Sequence, residues 1–486
     1  MTDDASPDDG QDGPSDPDPD GSPASDPDGP SAPAPDGSPD RDPDGSPESV
    51  PARPPDRARI ALAFGVVMGL LISWGLARGG SDLFMLNLEV YYYAAEAVLE
   101  GRAGDLYAVT PPDHPAYRFV YPPAVVAVFL PYALAPSPAV AFLVHTAGQV
   151  AAGLALAWLL VRETERHGVA LGRIDRALVA AFVLAAIHTV PSLYFGNVNL
   201  ALSLAVAAGL AYGARRPGVA GVALAVPAAV KVFPAPVGAW WVRDRAWRPA
   251  LVAAGTGGAV GVASLLAFGP DLHRTYVRSA VLDRLDPSLY EGGMAPGAEM
   301  VTVRRPLSIL LPDAPSWTIT VGAALVLAPV VAVAYARTDP VATARGLLAD
   351  PGAVVWTDPT GALGRIDPVA AVGRIEDPVD RLVAVYVTVT AVLLFFPSYF
   401  VYLVYLYYPL VPLLYLLDGR SGRLFAAGAV VAAFAFTPET TMGYLAGLPD
   451  GVTAALRPAV EFASLSLVGL AITLAACVHY RIAGAE

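Results

Sequence analysis

The hydrophobic pattern divides this chain into two unlike parts. From Ile60 onward, apolar runs long enough to cross a bilayer follow one another, separated by short clusters of arginine. A soluble helical protein would show amphipathic stripes of period 3.6 in their place, and the sequence lacks them. The pattern predicts an all-α fold, a polytopic transmembrane helical bundle of about 11–13 spans. Placing the arginine clusters on the cytoplasmic side, the spans are expected at 60–77, 138–161, 177–193, 199–214, 219–230, 233–242, 249–268, 318–336, 381–396, 399–417, 422–437 and 457–479. The stretch 122–135 is too short to cross and reads as a re-entrant or partial helix.

This threading places both termini in the cytoplasm, because Arg53, Arg57 and Arg59 immediately precede the first span. Two long loops, 81–120 and 269–317, then face outward, and an insert rich in Asp-Pro and Gly at 337–380 faces inward. Residues 83–99 carry apolar and aromatic side chains on a helical period and are expected to form a helix lying in the interface.

Composition changes the picture at one end. The chain has 486 residues, 55% of them hydrophobic, and a formal net charge of −13. All of that excess lies in residues 1–57, which hold 16 acidic residues and three arginines; the remainder, 58–486, carries 28 of each sign. The tail is Pro, Asp, Gly and Ser, buries too little apolar area to offset its ordering entropy, and is expected to stay disordered. No basic stretch offers a nucleic-acid surface. A single cysteine, Cys477, excludes a disulfide framework and a thiolate metal cluster. The sequence has no Walker loop, Rossmann glycine fingerprint or zinc-ligand spacing, which argues against an ATP-driven transporter or a soluble nucleotide-sugar enzyme.

Polar residues set against this apolar background are the candidates for chemistry. Asp82 follows the first span, and Glu89 stands seven residues later, on the same face if one helix carries both. A carboxylate there can take a proton from a hydroxyl, or it can be an ordinary solvated loop residue. Lys231 is the only lysine in the chain and sits inside the apolar stretch Ala228–Pro234. A buried ammonium beside a helix break suits a phosphate or carboxylate; the plainer reading is a side chain snorkelling to the interface. Asn197 and Asn199 lie in an expected outer turn, where they serve either a sugar or the turn's own backbone. The second outer loop adds His273, Arg274, Arg278, Arg304 and Arg305 as anion contacts. The aromatic run Phe395–Tyr408 reads as packing or as the wall of a lipid groove.

Four elements in order then resemble glycosyltransferase family 87, the polyprenol-phosphate-mannose-dependent mannosyltransferases of C-type, multi-span architecture. They are an acidic residue after the first span; Val90-Tyr91-Tyr92-Tyr93-Ala94-Ala95 followed by Leu99-Glu100-Gly101 and Leu106-Tyr107; Tyr121-Pro122-Pro123 with Pro131; and Gly196-Asn197-Val198-Asn199 followed by Ala229-Val230-Lys231-Val232-Phe233-Pro234. Phe396-Pro397-Ser398-Tyr399 resembles a later part of the pattern. The resemblance implies a multi-pass enzyme of the cell membrane. Its donor would be a polyprenyl or dolichyl phosphate sugar and its acceptor a glycan or lipid-linked glycan, met at the extracytoplasmic face by inverting displacement with no metal or cofactor. It further implies an aspartate as base, Lys231 on the donor phosphate, and Tyr121, Asn197 and Asn199 around the sugar and phosphate; Arg304 and Arg305 of the second outer loop are expected beside them as donor-binding anion contacts on their charge and position alone. The family's aspartate register falls on Asn87 here, so the base is expected at Asp82, with Glu89 as the alternative.

Two other classes fit parts of the pattern. A secondary transporter or flippase would show inverted repeats and charges at mid-membrane, and neither is found. A catalytically inactive membrane scaffold would tolerate Asn87, and would also tolerate loss of Asp82 and Glu89.

Overall fold

The computed structural model describes residues 54–79, 82–231, 234–282, 287–335 and 377–483. The acidic tail up to residue 53 and the insert from 337 to 376 lie outside the described residues.

Helices carry about three-quarters of the described chain. Six of them are long and apolar enough to cross a membrane: α1 (Asp56–Gly79), α3 (Pro138–Arg166), α7 (Trp247–Tyr276, prolonged by a wider turn to Leu282), α9 (Ser316–Tyr335), α10 (Pro378–Phe395) and α14 (Leu465–Ala483). Shorter helices fill the intervals: α2 (Leu86–Leu99), α4 (Arg173–Ala185), α5 (Asn199–Tyr212), α6 (Pro217–Val230), α8 (Arg304–Leu310), α11 (Tyr407–Leu416), α12 (Gly419–Ala432) and α13 (Asp450–Phe462). A polytopic helical bundle is thus the fold. In hydrocarbon every backbone polar group must find its partner within the protein, and a helix achieves this within its own segment.

Small residues set how closely these helices pack, as expected where lipid removes most of the hydrophobic gain from association. In α1 the buried stripe is Ala58, Ala61, Leu62, Gly65, Met68 and Gly69, whereas Ile60, Leu70, Leu71 and Trp74 face outward. A Cβ on Gly69 would overlap the Ala185 carbonyl of α4. Gly428 of α12 and Gly469 of α14 meet in the same way, backbone against backbone. The most enclosed of the six is α10, which Asp377 caps by accepting from the Val379 N–H at 2.6 Å. The Tyr386 hydroxyl of α10 donates to Thr473 of α14 at 2.8 Å. An apolar groove of about 680 Å³ opens between α9, α10 and α14, running from Val303 and Leu394 to His479 and Ile482.

Ion pairs gather the arginine-bearing ends at one end of the bundle. The Arg59 guanidinium of α1 grips Asp175 of α4 at 2.8 and 2.9 Å, and Arg176 pairs with Glu165 of α3 at 2.7 Å. Arg57 reaches Asp418 at 2.9 Å, and Arg481 of α14 pairs with Asp380 of α10.

Several boundaries depart from the hydropathy reading. The apolar stretch 457–479 is two helices, because Ala463 and Ser464 separate α13 from α14. α13 is amphipathic and buries none of its side chains, as an interfacial helix would. The stretch 177–193 breaks after Ala185 into a short turn of helix, Val190–Tyr194. The loop expected at 269–317 starts later than 269, since helix resumes beyond a kink at Gly269 (φ 71°) and Pro270. The partial helix expected at 122–135 appears as a 3₁₀ segment, Pro123–Val128, and one turn, Leu130–Ala133.

Candidate functional site

The end of the bundle away from the ion-pair collar carries the residues singled out above. The helix expected over 83–99 forms as α2, with much of its surface buried, and its first turn docks on the chain that leads to Asn197. The Met85 N–H donates to the Tyr194 carbonyl at 3.0 Å and the Asn87 N–H to that of Phe195 at 2.8 Å. Contact this close requires glycine at 196. Its φ is 72°, and a Cβ there would stand 2.8 Å from Cβ of Leu88.

One turn further, the chain enters α5 with Asn199 wholly buried. Pro217–Val230 forms α6, which stops at Lys231; that residue is extended, with φ −132° and ψ 117°. Its side chain is 7% exposed. The ammonium donates to Oδ1 of Asn199 at 2.6 Å and, more weakly, to Oδ1 of Asn197 at 3.4 Å. It also lies 4.3 Å from the ring centre of Tyr402, a cation–π contact. Asn199 is the hub of this network: its Oδ1 accepts from the Tyr405 hydroxyl at 3.3 Å, and its amide nitrogen donates to Ser192 at 2.8 Å. His145 of α3 meets the Asn197 carbonyl at 3.3 Å.

Tyr121 adjoins this network through Tyr91. The two hydroxyls are 3.0 Å apart, and Tyr107 donates to the Tyr121 carbonyl at 2.8 Å. The rings of Tyr91 and Tyr121 lie 5.7 Å apart and those of Tyr402 and Tyr405 6.4 Å apart, and the four tyrosines neighbour one another. The structure therefore brings together Lys231, Asn197, Asn199 and Tyr121, and adds Tyr91, Tyr402, Tyr405 and Ser192. The two tyrosines from the aromatic run lie some 170 residues from Lys231 in the chain. The VYYYAA segment signalled Tyr91 in the sequence, and only the density of tyrosine after Pro397 pointed to the other two.

The two arginines diverge. Arg304 lies over the rings of Phe395 and Tyr290, at 4.9 and 5.5 Å. Arg305 is 1% exposed, and its guanidinium donates to the carbonyls of Met294, Ala295 and Ala298 at 3.4, 3.2 and 2.8 Å. It clamps the second loop. A two-residue strand, β1 (Met300–Val301), pairs antiparallel with β2 (Ser398–Tyr399), and so ties that loop to the segment bearing Tyr402.

The carboxylates do not share a helical face. Met85, with φ 52°, separates the exposed turn containing Asp82 from α2, which begins only at Leu86. Glu89 is inside α2, with Oε2 3.8 Å from Nε2 of His114, a residue the sequence reading passed over. Burial raises the Glu89 pKa, partly opposed by His114. Two helical residues turn the axis by about 200°, so Glu89 projects well away from both Asn87 and Tyr91.

A cation held by amide oxygens and an aromatic face, among tyrosine hydroxyls, suits an anion that carries a polyhydroxylated group. The model for glycosyltransferase family 87 matches residues 119–355, the stretch that holds Tyr121, Asn197, Asn199, Lys231, Arg304 and Arg305. No curated protein and no solved structure matches the chain. The match over residues 119–355, together with the multi-pass helical fold, supports membership of the chain in glycosyltransferase family 87.

Proposed function

We propose that this membrane glycosyltransferase moves a hexose, mannose by family resemblance, from a polyprenyl or dolichyl phosphate to a glycan or lipid-linked acceptor at the extracytoplasmic face. The observation that carries this reading is the Lys231 ammonium, held in place by Asn199, Asn197 and the Tyr402 ring. In the reaction an acceptor oxygen bonds to the anomeric carbon while the bond from that carbon to the phosphate oxygen breaks. The departing polyprenyl phosphate gains negative charge as it leaves. Lys231 meets that charge in a partly dehydrated site, where a fixed cation stabilises the transition state more than it could in water. The tyrosine hydroxyls of the cluster supply hydrogen bonds to the sugar. The apolar groove between α9, α10 and α14 suits the isoprenoid chain, and Arg304 follows Val303 at its mouth.

A second reading, an inactive scaffold, is favoured by Asn87. It stands where the family's aspartate is expected and shares a helical face with Tyr91. One experiment separates the two. The full chain in lipid nanodiscs is given polyprenyl-phosphate-mannose and a total lipid extract as acceptor, and release of polyprenyl phosphate is followed. Wild type is expected to turn over, and Lys231→Met to lose at least a hundredfold in rate, about 3 kcal/mol of transition-state stabilisation. A folded Lys231→Met variant that keeps wild-type turnover refutes the assignment, and no turnover by wild type favours the scaffold.

A further inference from the structure

Two polar side chains are buried in the long apolar helix α3. His145 is 1% exposed and Gln149 5% exposed. They stand four residues apart, flanked at the same spacing by Ala141 and Gly153, so the four share one buried helical face. That face packs on α5. A Cβ on Gly153 would stand 3.4 Å from Cδ1 of Leu200 and 2.6 Å from Cδ2 of Leu184, so α3 approaches α5 and α4 closely. A polar group buried in such a helix is costly unless it is bonded, and both of these bond to the same short stretch of chain.

Nε2 of His145 meets the Asn197 carbonyl at 3.3 Å. A carbonyl only accepts, so Nε2 is the donor and carries the proton of the ring. Nδ1 has no hydrogen-bond partner among the described residues, which leaves the bond to Asn197 as the one that this ring makes there. Oε1 of Gln149 accepts from the Ala201 N–H at 3.1 Å. That N–H lies in the first turn of α5, where helical N–H groups have no partner within the helix, and Val198 ahead of it provides no side-chain cap. Gln149 thus caps α5 from a neighbouring helix.

The effect on Lys231 follows from the backbone. The Asn197 N–H donates to the Ser192 carbonyl at 2.7 Å. With His145 on its carbonyl, both peptide groups flanking the Asn197 Cα are held, and the direction of its side chain is set. Two residues on, Gln149 holds the turn of helix that begins at Asn199, whose side-chain amide is tied to Ser192 at 2.8 Å. The two asparagine oxygens accept from the Lys231 ammonium, so where they stand decides where the cation stands.

We propose that His145 and Gln149 are positioning residues of the Lys231 site. They hold the 197–201 backbone, aim Asn197 and Asn199 at the ammonium, and so fix the cation that receives the donor phosphate. The proposal rests on Lys231 marking that phosphate. Such preorganisation acts on the affinity for the anion through the asparagines.

Binding of polyprenyl phosphate to the full chain in nanodiscs tests this. The variants are His145→Phe, His145→Gln, Gln149→Met, Asn197→Ala, Lys231→Met and the double variant His145→Phe with Asn197→Ala, each checked for monodisperse elution. His145→Phe keeps a ring but removes the donor, and is expected to weaken binding about tenfold; Gln149→Met is expected to weaken it about threefold to tenfold. His145→Gln returns an N–H at similar reach and should bind within threefold of wild type. A histidine that serves packing alone would cost the same in either background. One that acts through the Asn197 side chain should cost less than twofold once Asn197→Ala has removed it. Wild-type affinity in a folded His145→Phe variant, or an equal loss with and without the Asn197 side chain, overturns the proposal. Should His145→Phe not fold, His145→Asn, polar but too short to reach the carbonyl, replaces it in the same comparison. If Lys231→Met loses binding while the His145 and Gln149 variants keep it, only the positioning role fails. If wild type does not bind polyprenyl phosphate, or Lys231→Met binds it equally well, the reading of the Lys231 site fails and the positioning role falls with it.

Discussion

Asn199→Asp changes one atom at the hub of the Lys231 network and sets stability against function. The replacement is nearly isosteric, and every neighbour can adapt. The Lys231 ammonium and the Tyr405 hydroxyl already donate to Oδ1, and the Ser192 hydroxyl can rotate to donate where it now accepts. A buried charge pair of this kind is close to neutral in net stability, because desolvation offsets the attraction, so the melting temperature should change little. The site's affinity for an anion should fall sharply. A phosphate on the other side of the ammonium would lie about 6 Å from the new carboxylate, and at an effective dielectric constant near 20 two unit charges at that distance repel by about 3 kcal/mol. This corresponds to about a hundredfold weaker binding. Scintillation proximity with radiolabelled polyprenyl phosphate and nanodisc-embedded protein reads the affinity, and intrinsic fluorescence on heating reads the stability. A folded Asn199→Asp variant that binds polyprenyl phosphate within threefold of wild type would show that the anion does not sit on Lys231.

Two further predictions concern carboxylates elsewhere. The Arg59 guanidinium holds the Asp175 carboxyl below the usual range, so this pair's contribution is complete above the unfolded value of about 3.9 and is lost as pH falls through the lower folded value. Asp175→Asn should cost about 1–3 kcal/mol at neutral pH, discounted because Arg59 is 32% exposed, and should flatten the acid limb of a melting-temperature profile; an unchanged limb refutes the role. Glu89 has the opposite sign. Burial raises its pKa, so its ionised form weighs against folding above that value and the penalty disappears below the unfolded value. Glu89→Gln should therefore raise the melting temperature at neutral pH but not at low pH, and a drop at neutral pH would contradict the desolvation account.

Local chemistry made some features readable without a structure. Lys231 stood out because a lone lysine in an apolar run needs a reason, and α2 followed from the helical period of its aromatic residues. What depended on distant parts of the chain did not show. Tyr402 and Tyr405 lay in a run whose composition fits lipid packing equally well, and only the tertiary fold sets them beside Lys231. Arg305 read as an anion contact because sequence does not reveal that three carbonyls of its own loop would surround its guanidinium. Asp82 and Glu89 are seven apart, yet a single left-handed residue, Met85, removes the common helix that spacing assumed. Hydropathy also ran 457–479 together, because a windowed average does not separate an amphipathic helix from the span that follows it.

The solitary lysine has a practical consequence. Amine-directed reagents, which decorate most proteins all over their surface, have a single side-chain target in this one, and it lies inside the site. Reductive methylation with ¹³C-formaldehyde would therefore place one isotopic reporter among the side chains, at Nζ of Lys231. Its resonance would register whatever occupies the pocket, free of the spectral overlap that normally hides such a signal.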